Sequence, residues 1–163
     1  MTPSTGRITH ITLESLQIQM EGSLVARDQT IALKDLKANS VFQPLNDTQG
    51  PYTLTLSVTE NRLVFDIKNV QGTALPLLVL SLKPYARLIK DYFMIVQSYD
   101  AALQNGSPSR IEAIDMGRRG LHNEGAGLLI ERLGDKIQMD QDTARRLFTL
   151  ICALHATKTH AYR

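Results

Sequence analysis

The sequence predicts an α+β fold: a single domain in which an antiparallel sheet of three or four strands is packed with about four helices. Three observations support this prediction. Two alternating apolar and polar runs and one apolar run follow one another between residues 52 and 82, which is typical of an antiparallel sheet. Two later segments, 84–105 and 140–154, show the 3.6-residue spacing of helices. A length of 163 residues suits one domain.

The first forty residues predict one strand and one helix. Residues 7–13 alternate, which permits a strand without indicating its buried face. Residues 22–39 have the spacing of a helix that begins near Ser23 and ends at Asn39 and Ser40. A polar, turn-rich connection follows over residues 44–51.

The most regular part of the first half predicts a three-stranded antiparallel meander. Its strands are the alternating runs 52–58 and 62–68 and the apolar run 75–82. Glu60 and Asn61 turn the chain between the first two strands. Pro76 is expected at a strand start or a sheet edge, because proline cannot donate a hydrogen bond to a ladder.

The second half predicts a long core helix, a short strand and a final helix. Pro84 suits a first helical position, and Asn105-Gly106 suits a helix end. Residues 134–139 predict a short strand, after which Asp140 or Asp142 caps the last helix. The inward side chains of that helix are expected to be Ala144, Leu147, Phe148, Ile151 and Leu154. The chain ends, about 1–6 and 157–163, are expected to fray.

Residues 107–133 combine acids, paired arginines, a histidine and four glycines. Either Ser107 with Pro108, or Ser109 with Glu112, can begin a helix there. The glycines at 117, 120, 125 and 127 each cost a helix about 1 kcal/mol relative to alanine. We therefore predict a helix over 109–118, an irregular segment over 119–125 and a second short helix that ends near Arg132.

The polar residues of this segment suggest an anion site. Asp115, Arg119 and His122 share one helix side, Arg118 lies beside them, and forked arginine donors near a glycine-rich break can hold a carboxylate or phosphate. The structural alternative is that the glycines allow close packing and Asp115 neutralises an arginine. Charge clusters are more often structural, which favours that alternative. The predicted ligand-binding residues are Asp115, Arg118, Arg119, His122, Asn123, Glu124, Arg145 and Arg146.

Catalysis is the second function class. A small hydrolase-like or metal-dependent enzyme would use Asp115, His122 and Glu124 as acid, base or ligands. Cys152 and His155, three residues apart, could contribute to a metal site that His122 completes with Glu112 or Asp115. Two ligands from one helix commonly occur by chance, so we predict no metal and no cofactor. The glycine spacing also excludes Walker and Rossmann nucleotide sites.

Composition limits the partners and the compartment. A net charge of +2 without a basic stripe disfavours nucleic acid. The apolar run 75–82 is far too short to span a bilayer. The single cysteine, Cys152, suits a reducing compartment, so we expect a cytoplasmic protein. The remaining partners are a small anion or another protein, in an oligomeric state that the sequence leaves open.

Residues 111–125 form one distinctive run, Ile-Glu-Ala-Ile-Asp-Met-Gly-Arg-Arg-Gly-Leu-His-Asn-Glu-Gly. Together with 50–52, 61–67, 90–93 and 142–152, this run resembles an uncharacterised family of small bacterial proteins found mainly in alphaproteobacteria. Asp100 departs from the pattern, because the family usually has tyrosine there. It implies a cytoplasmic bacterial setting and carries no catalytic or binding residue over to this chain.

Overall fold

The computed structural model describes residues 5–14 and 24–161, with side chains as far as His155. It has the predicted α+β architecture. The expected helix start at residues 22–23 and part of the expected frayed ends lie outside these ranges, while the last helix continues through Ala161. The elements are β1 (Ile8–Leu13), α1 (Leu24–Ala38), β2 (Phe42–Pro44), β3 (Tyr52–Thr59), β4 (Arg62–Lys68), β5 (Leu78–Ser81), a 3-10 turn (Lys83–Tyr85), α2 (Ala86–Asn105), α3 (Pro108–Leu133), β6 (Ile137–Met139) and α4 (Gln141–Ala161).

The main sheet has four strands in the order β1-β3-β4-β5. The predicted antiparallel meander of β3, β4 and β5 is confirmed. Glu60 and Asn61 form its first turn with φ of 51° and 60°, the left-handed conformation that two-residue hairpin turns require. β1 differs from the expected pattern because it runs parallel to β3. A parallel neighbour needs a long crossover, and α1 lies within that connection.

A second sheet pairs β2 with β6 in antiparallel register. The short strand expected within 134–139 is confirmed as β6, whereas β2 was not predicted. A three-residue strand is too short for alternation to identify, and the proline at its end resembled the start of a loop. Phe42 is fully buried in this strand, so β2 and β6 extend the core beyond the main sheet.

One hydrophobic core joins the main sheet and the helices. The sheet contributes alternate residues of β3 and β4, all at most 2% exposed: Leu54, Leu56, Leu63, Phe65 and Ile67. The five inward residues predicted for α4 are all buried, and α4 packs against both α1 and α3. Asp140 caps α4, since its Oδ1 accepts a 2.8 Å hydrogen bond from the Thr143 backbone N–H.

α3 is one continuous helix of 26 residues, so the predicted break over 119–125 is wrong. α3 is held between α2 and α4, and burial of Leu121, Leu129 and Leu133 outweighs the backbone cost of its glycines. Gly125 lies against the Phe148 ring, where any added Cβ would collide. The suggestion that glycines permit close packing therefore holds at Gly125.

Candidate functional site

The eight predicted ligand-binding residues lie on α3 and on the first turns of α4. Because α3 is continuous, Asp115, Arg118, Arg119 and His122 are held on adjacent turns of a regular helix. The structure divides the eight residues into a buried group and an exposed group.

Arg118 is the centre of the buried group. Its Nη2 lies 2.6 Å from Asp115 Oδ1, and its Nη1 lies 2.8 Å from Asp28 Oδ1. The Asp28 Oδ2 accepts a 2.9 Å hydrogen bond from the Tyr92 hydroxyl. Side chains of α1, α2 and α3 thus meet in one network, to which we give the name Asp28 network: Asp28, Tyr92, Asp115 and Arg118.

The carboxylates of the Asp28 network differ in their electrostatics. Burial raises the pKa of Asp28, and the opposing effects of Arg118 and the Tyr92 hydrogen bond do not cancel that increase. Asp115 is more exposed, and its hydrogen bonds from Arg118 hold its pKa below the usual value. Arg118 therefore contacts two carboxylates. Asp28 is buried and requires a cation beside it, whereas the more exposed Asp115 accepts the hydrogen bonds from Nε and Nη2 of Arg118.

His122 lies beside the Asp28 network and is 6% exposed. Its ring stacks on Tyr92 at a centroid distance of 5.6 Å and meets Phe148 edge-on at 6.1 Å. Burial lowers the pKa of His122 to about 4, and the charges of Arg118 and Arg145 act in the same direction. The ring is neutral at physiological pH, and its Nε2 finds no hydrogen-bond partner within the described ranges.

The exposed group on α3 consists of Arg119, Asn123 and Glu124. The Arg119 Nε lies 3.1 Å from Asp115 Oδ2, while 75% of the Arg119 side chain is exposed. Glu124 turns to α2, where it lies 2.6 Å from Arg87 Nη2. The backbone carbonyl of Asn123 accepts a long hydrogen bond of 3.4 Å from the Gln141 side chain on α4.

The paired arginines of α4 have separate partners. Arg145 Nη2 lies 3.1 Å from Asp142 Oδ1, three residues earlier on the same helix. Arg146 instead contacts α1, with its Nε 3.6 Å from Asp35 Oδ2, and it donates to the Asn39 carbonyl at 3.3 Å. These contacts place a carboxylate beside each of the four predicted arginines.

The proposed catalytic trio does not converge. Asp115 faces the two neighbouring arginines, Glu124 faces Arg87, and His122 is enclosed by aromatic rings. Cys152 is fully buried, and burial raises its thiol pKa, whereas a reactive thiol needs a lowered pKa. In residues 5–14 and 24–155, no three His, Cys, Asp or Glu side chains are arranged to hold a metal ion.

Asp28 and Tyr92 belong to this network but were not predicted as site residues from the sequence. Asp28 had a recognisable signal, because it falls on the buried stripe of α1 at four-residue spacing from Leu24, Ala32 and Leu36. An acid in an apolar stripe requires a buried partner. Local sequence could not identify that partner, because Arg118 is 90 positions away from Asp28 in the chain.

Comparison with known proteins agrees with the predicted resemblance. A UPF0262 protein of Azorhizobium caulinodans is 51% identical over 157 residues, covering 94% of this chain and 96% of the relative. One from Mesorhizobium japonicum is 54% identical over 132 residues, covering 80% and 82%, and one from a Bradyrhizobium species is 48% identical over 152 residues, covering 93% and 90%.

No solved structure matches the chain, and no helix in the described part is long and apolar enough to cross a membrane. The family model described as an uncharacterised protein family, UPF0262, matches residues 5–157. The chain therefore belongs to the uncharacterised protein family UPF0262, as the resemblance predicted.

Proposed function

We propose that the protein is a non-catalytic binding module of the bacterial cytoplasm that holds an anionic ligand, or an acidic segment of a protein partner, on the exposed face of α3 and α4. The observation that carries this proposal is the state of Arg119. Its side chain is 75% exposed, and its contact with Asp115 engages Nε. Neither terminal nitrogen pairs with another described residue, so a carboxylate or phosphate can accept two parallel hydrogen bonds from them.

Arg145 and Asn123 complete the proposed ligand face. Asn123 lies one turn from Arg119, and Arg145 lies one turn from Gln141, which contacts Asn123. The Arg145–Asp142 pair is partly exposed, so its contribution to stability is small and a stronger anion can replace Asp142.

The other predicted residues have supporting roles in this proposal. Asp115 orients Arg119, while Arg118 holds Asp115 in place from the opposite side. Arg146 ties α4 to α1, and Glu124 ties α3 to α2. His122 fills the interior behind the face as a neutral ring.

The cytoplasmic setting and the choice of partner rest on charge and thiol chemistry. A single, fully buried thiol suits a reducing compartment. The net charge of +2, with the prominent arginines next to carboxylates, favours one discrete anion over the backbone of a nucleic acid.

The test is titration of the ¹⁵N-labelled protein with inorganic phosphate and, separately, with an end-capped tetraglutamate peptide. We expect the Arg119 side-chain Nε–H and the backbone amides near Asn123 and Arg145 to shift in a saturable manner. The Arg119→Ala/Arg145→Ala double variant should lose saturation, whereas Arg110→Ala, which removes an exposed arginine from the same helix, should retain it. Equal shifts in the double variant, or no saturable shift in the wild type, would reject the proposal.

A further inference from the structure

A groove of about 670 Å³ lies along β5, where the main sheet ends. One wall is the segment Leu75–Leu80, and the other is formed by residues 44–46 and 135–136. Ile67, Leu133 and Ile137 also line the groove, and each is 2% exposed. The volume lies in the range of sites that bind ligands in proteins.

β5 has unpaired backbone groups along its free edge. It pairs with β4 and has no further neighbour in the sheet order. The Leu82 N–H donates to the Asn61 carbonyl at 3.0 Å. Because hydrogen-bonded pairs alternate in an antiparallel ladder, the backbone N–H and C=O groups of Leu80 and Leu78 also point toward β4. By the same alternation, the N–H and C=O groups of Val79 and Ser81 point away from β4, toward the free edge.

The free edge has only part of the usual protection against pairing: β5 is four residues long and Pro76 precedes it, but charged side chains are missing. Edge strands commonly carry charged side chains or bulges that prevent another strand from adding. Residues 75–82 contain no charged side chain, and β5 pairs regularly with β4. Leu77 and Val79 are 63% and 54% exposed, and Leu45 across the groove is 57% exposed. Covering these side chains would remove a contiguous apolar surface from water.

The charged residues of the groove favour an acidic occupant. Arg132 and Lys136 are exposed, and neither forms an ion pair with another residue of the described ranges. Asp135 is the one acid in the groove lining, so the lining carries a net positive charge.

We infer that this groove binds an extended segment of a partner protein, which adds to the main sheet along β5 and places an acidic residue against Arg132 and Lys136. The backbone of the segment pairs with Val79 and Ser81. Its alternate side chains pack against the apolar lining, so the recognised sequence has apolar residues at every second position and an acid beyond them.

The experiment selects a ligand and then tests its mode of binding. Phage-displayed random 12-residue peptides are selected on the full chain, and the most enriched peptide is synthesised with a fluorophore for anisotropy titration. Val79→Pro removes the outward N–H and leaves the bonds to β4 intact, so we expect at least a tenfold loss of affinity. Val79→Thr, which keeps the N–H and the branched side chain, should bind within twofold of the wild type.

A charge reversal tests the second part of the inference. Lys136→Glu should weaken the same peptide about tenfold, whereas Arg110→Glu, the same change of charge on an exposed part of α3, should have little effect. This pair remains informative if Val79→Pro disturbs the fold, which its melting temperature reports.

Three outcomes would overturn the inference. The first is that no peptide is enriched above background, and the second is that the selected peptide binds the Val79→Pro and Lys136→Glu variants as tightly as the wild type. The third is a wild-type dimer in sedimentation velocity that Val79→Pro converts to a monomer, because a second copy of the chain would then occupy the edge.

Discussion

Arg118 on α3 and Asp28 on α1 form a largely buried ion pair, with 2.8 Å between Nη1 and Oδ1. Asp28 is 8% exposed, and the Arg118 side chain is 20% exposed. Removal of one partner from such a pair costs more than the pair itself contributes, because the remaining charge stays buried without compensation. Arg118 therefore has a structural role that does not depend on any ligand.

Replacement of Arg118 by methionine should lower the free energy of unfolding by about 3 kcal/mol, the range found when buried pairs lose one member. Methionine keeps the apolar stem of the side chain, so the loss reports mainly on the charge. Urea denaturation at pH 7 measures it. Arg119→Met is the matched control, and since that side chain is 75% exposed, its effect should stay below about 0.5 kcal/mol.

A second substitution separates charge from packing at this site. In the Arg118→Met background, Asp28→Asn removes the uncompensated charge and should recover part of the lost stability. Equal losses in Arg118→Met and Arg119→Met, or no recovery with Asp28→Asn, would contradict a structural role for the pair.

His122 should make the protein less stable in mild acid. The folded protein holds the His122 pKa at about 4, below the value of about 6.5 in an unfolded chain. The unfolded state then binds more protons between these values, so stability is complete above about pH 6.5 and falls as the pH decreases toward 4. The difference corresponds to about 3 kcal/mol.

His122→Phe provides the comparison, because phenylalanine fills the space between Tyr92 and Phe148 without titrating. The same charged groups lie near this position in both proteins: Asp28, Asp115, Arg118 and Arg145. Their own titrations therefore largely cancel when the unfolding free energies of wild type and variant are subtracted. The unfolding free energy of the variant should depend less on pH between 6.5 and 4. Parallel profiles, or a His122 titration near 6.5 by NMR, would show that the ring is accessible to protons in the folded state.

The glycines of α3 should respond to alanine in opposite directions. An added Cβ at Gly125 collides with the Phe148 ring, and overpacking of this kind costs about 1–3 kcal/mol. Gly117, Gly120 and Gly127 have no neighbouring atom within 4 Å of the added Cβ, so alanine there should stabilise the helix by up to about 1 kcal/mol. Thermal unfolding of the four single variants distinguishes the two classes, and a stabilising Gly125→Ala would refute the close contact.

Prediction from sequence succeeded for most elements and failed at the glycines of α3. The meander, the end of α2 at Asn105 and the buried face of α4 follow from local periodicity and end signals, which the sequence contains directly. The break in α3 was wrong because the propensity of a segment does not include the tertiary packing that stabilises it. Gly125 and Phe148 are in contact through that packing, and local spacing cannot reveal it.

The contacts of the candidate site also fall into those that local spacing predicts and those that depend on tertiary packing. The Asp115–Arg118 and Asp115–Arg119 contacts follow from three- and four-residue helical spacing. The contact of Arg118 with Asp28 and the enclosure of His122 by Tyr92 and Phe148 depend on how four helices come together. Prediction from sequence therefore identified the contacts within α3 but missed the partners on other helices, Asp28 and Tyr92, and did not indicate which residues are buried.

Two buried tyrosines provide a final test of how polar groups contribute to the core. Tyr85 and Tyr92 are both 0% exposed. The Tyr92 hydroxyl donates to Asp28, whereas the Tyr85 hydroxyl has no hydrogen-bond partner among residues 5–14 and 24–155. Burial of a hydroxyl without a partner costs free energy, while loss of a bond to a charged group costs about 1.5–3 kcal/mol.

Tyr85→Phe should consequently leave the unfolding free energy unchanged or raise it by about 1 kcal/mol. Tyr92→Phe should lower it by about 2 kcal/mol, because Asp28 loses one of its donors in a buried position. Each variant removes one oxygen atom and little volume, so the contrast isolates the hydrogen bond. If Tyr85→Phe destabilises the protein as much as Tyr92→Phe does, the Tyr85 hydroxyl must have an acceptor in solution, and a bound water at that position would be the first group to seek.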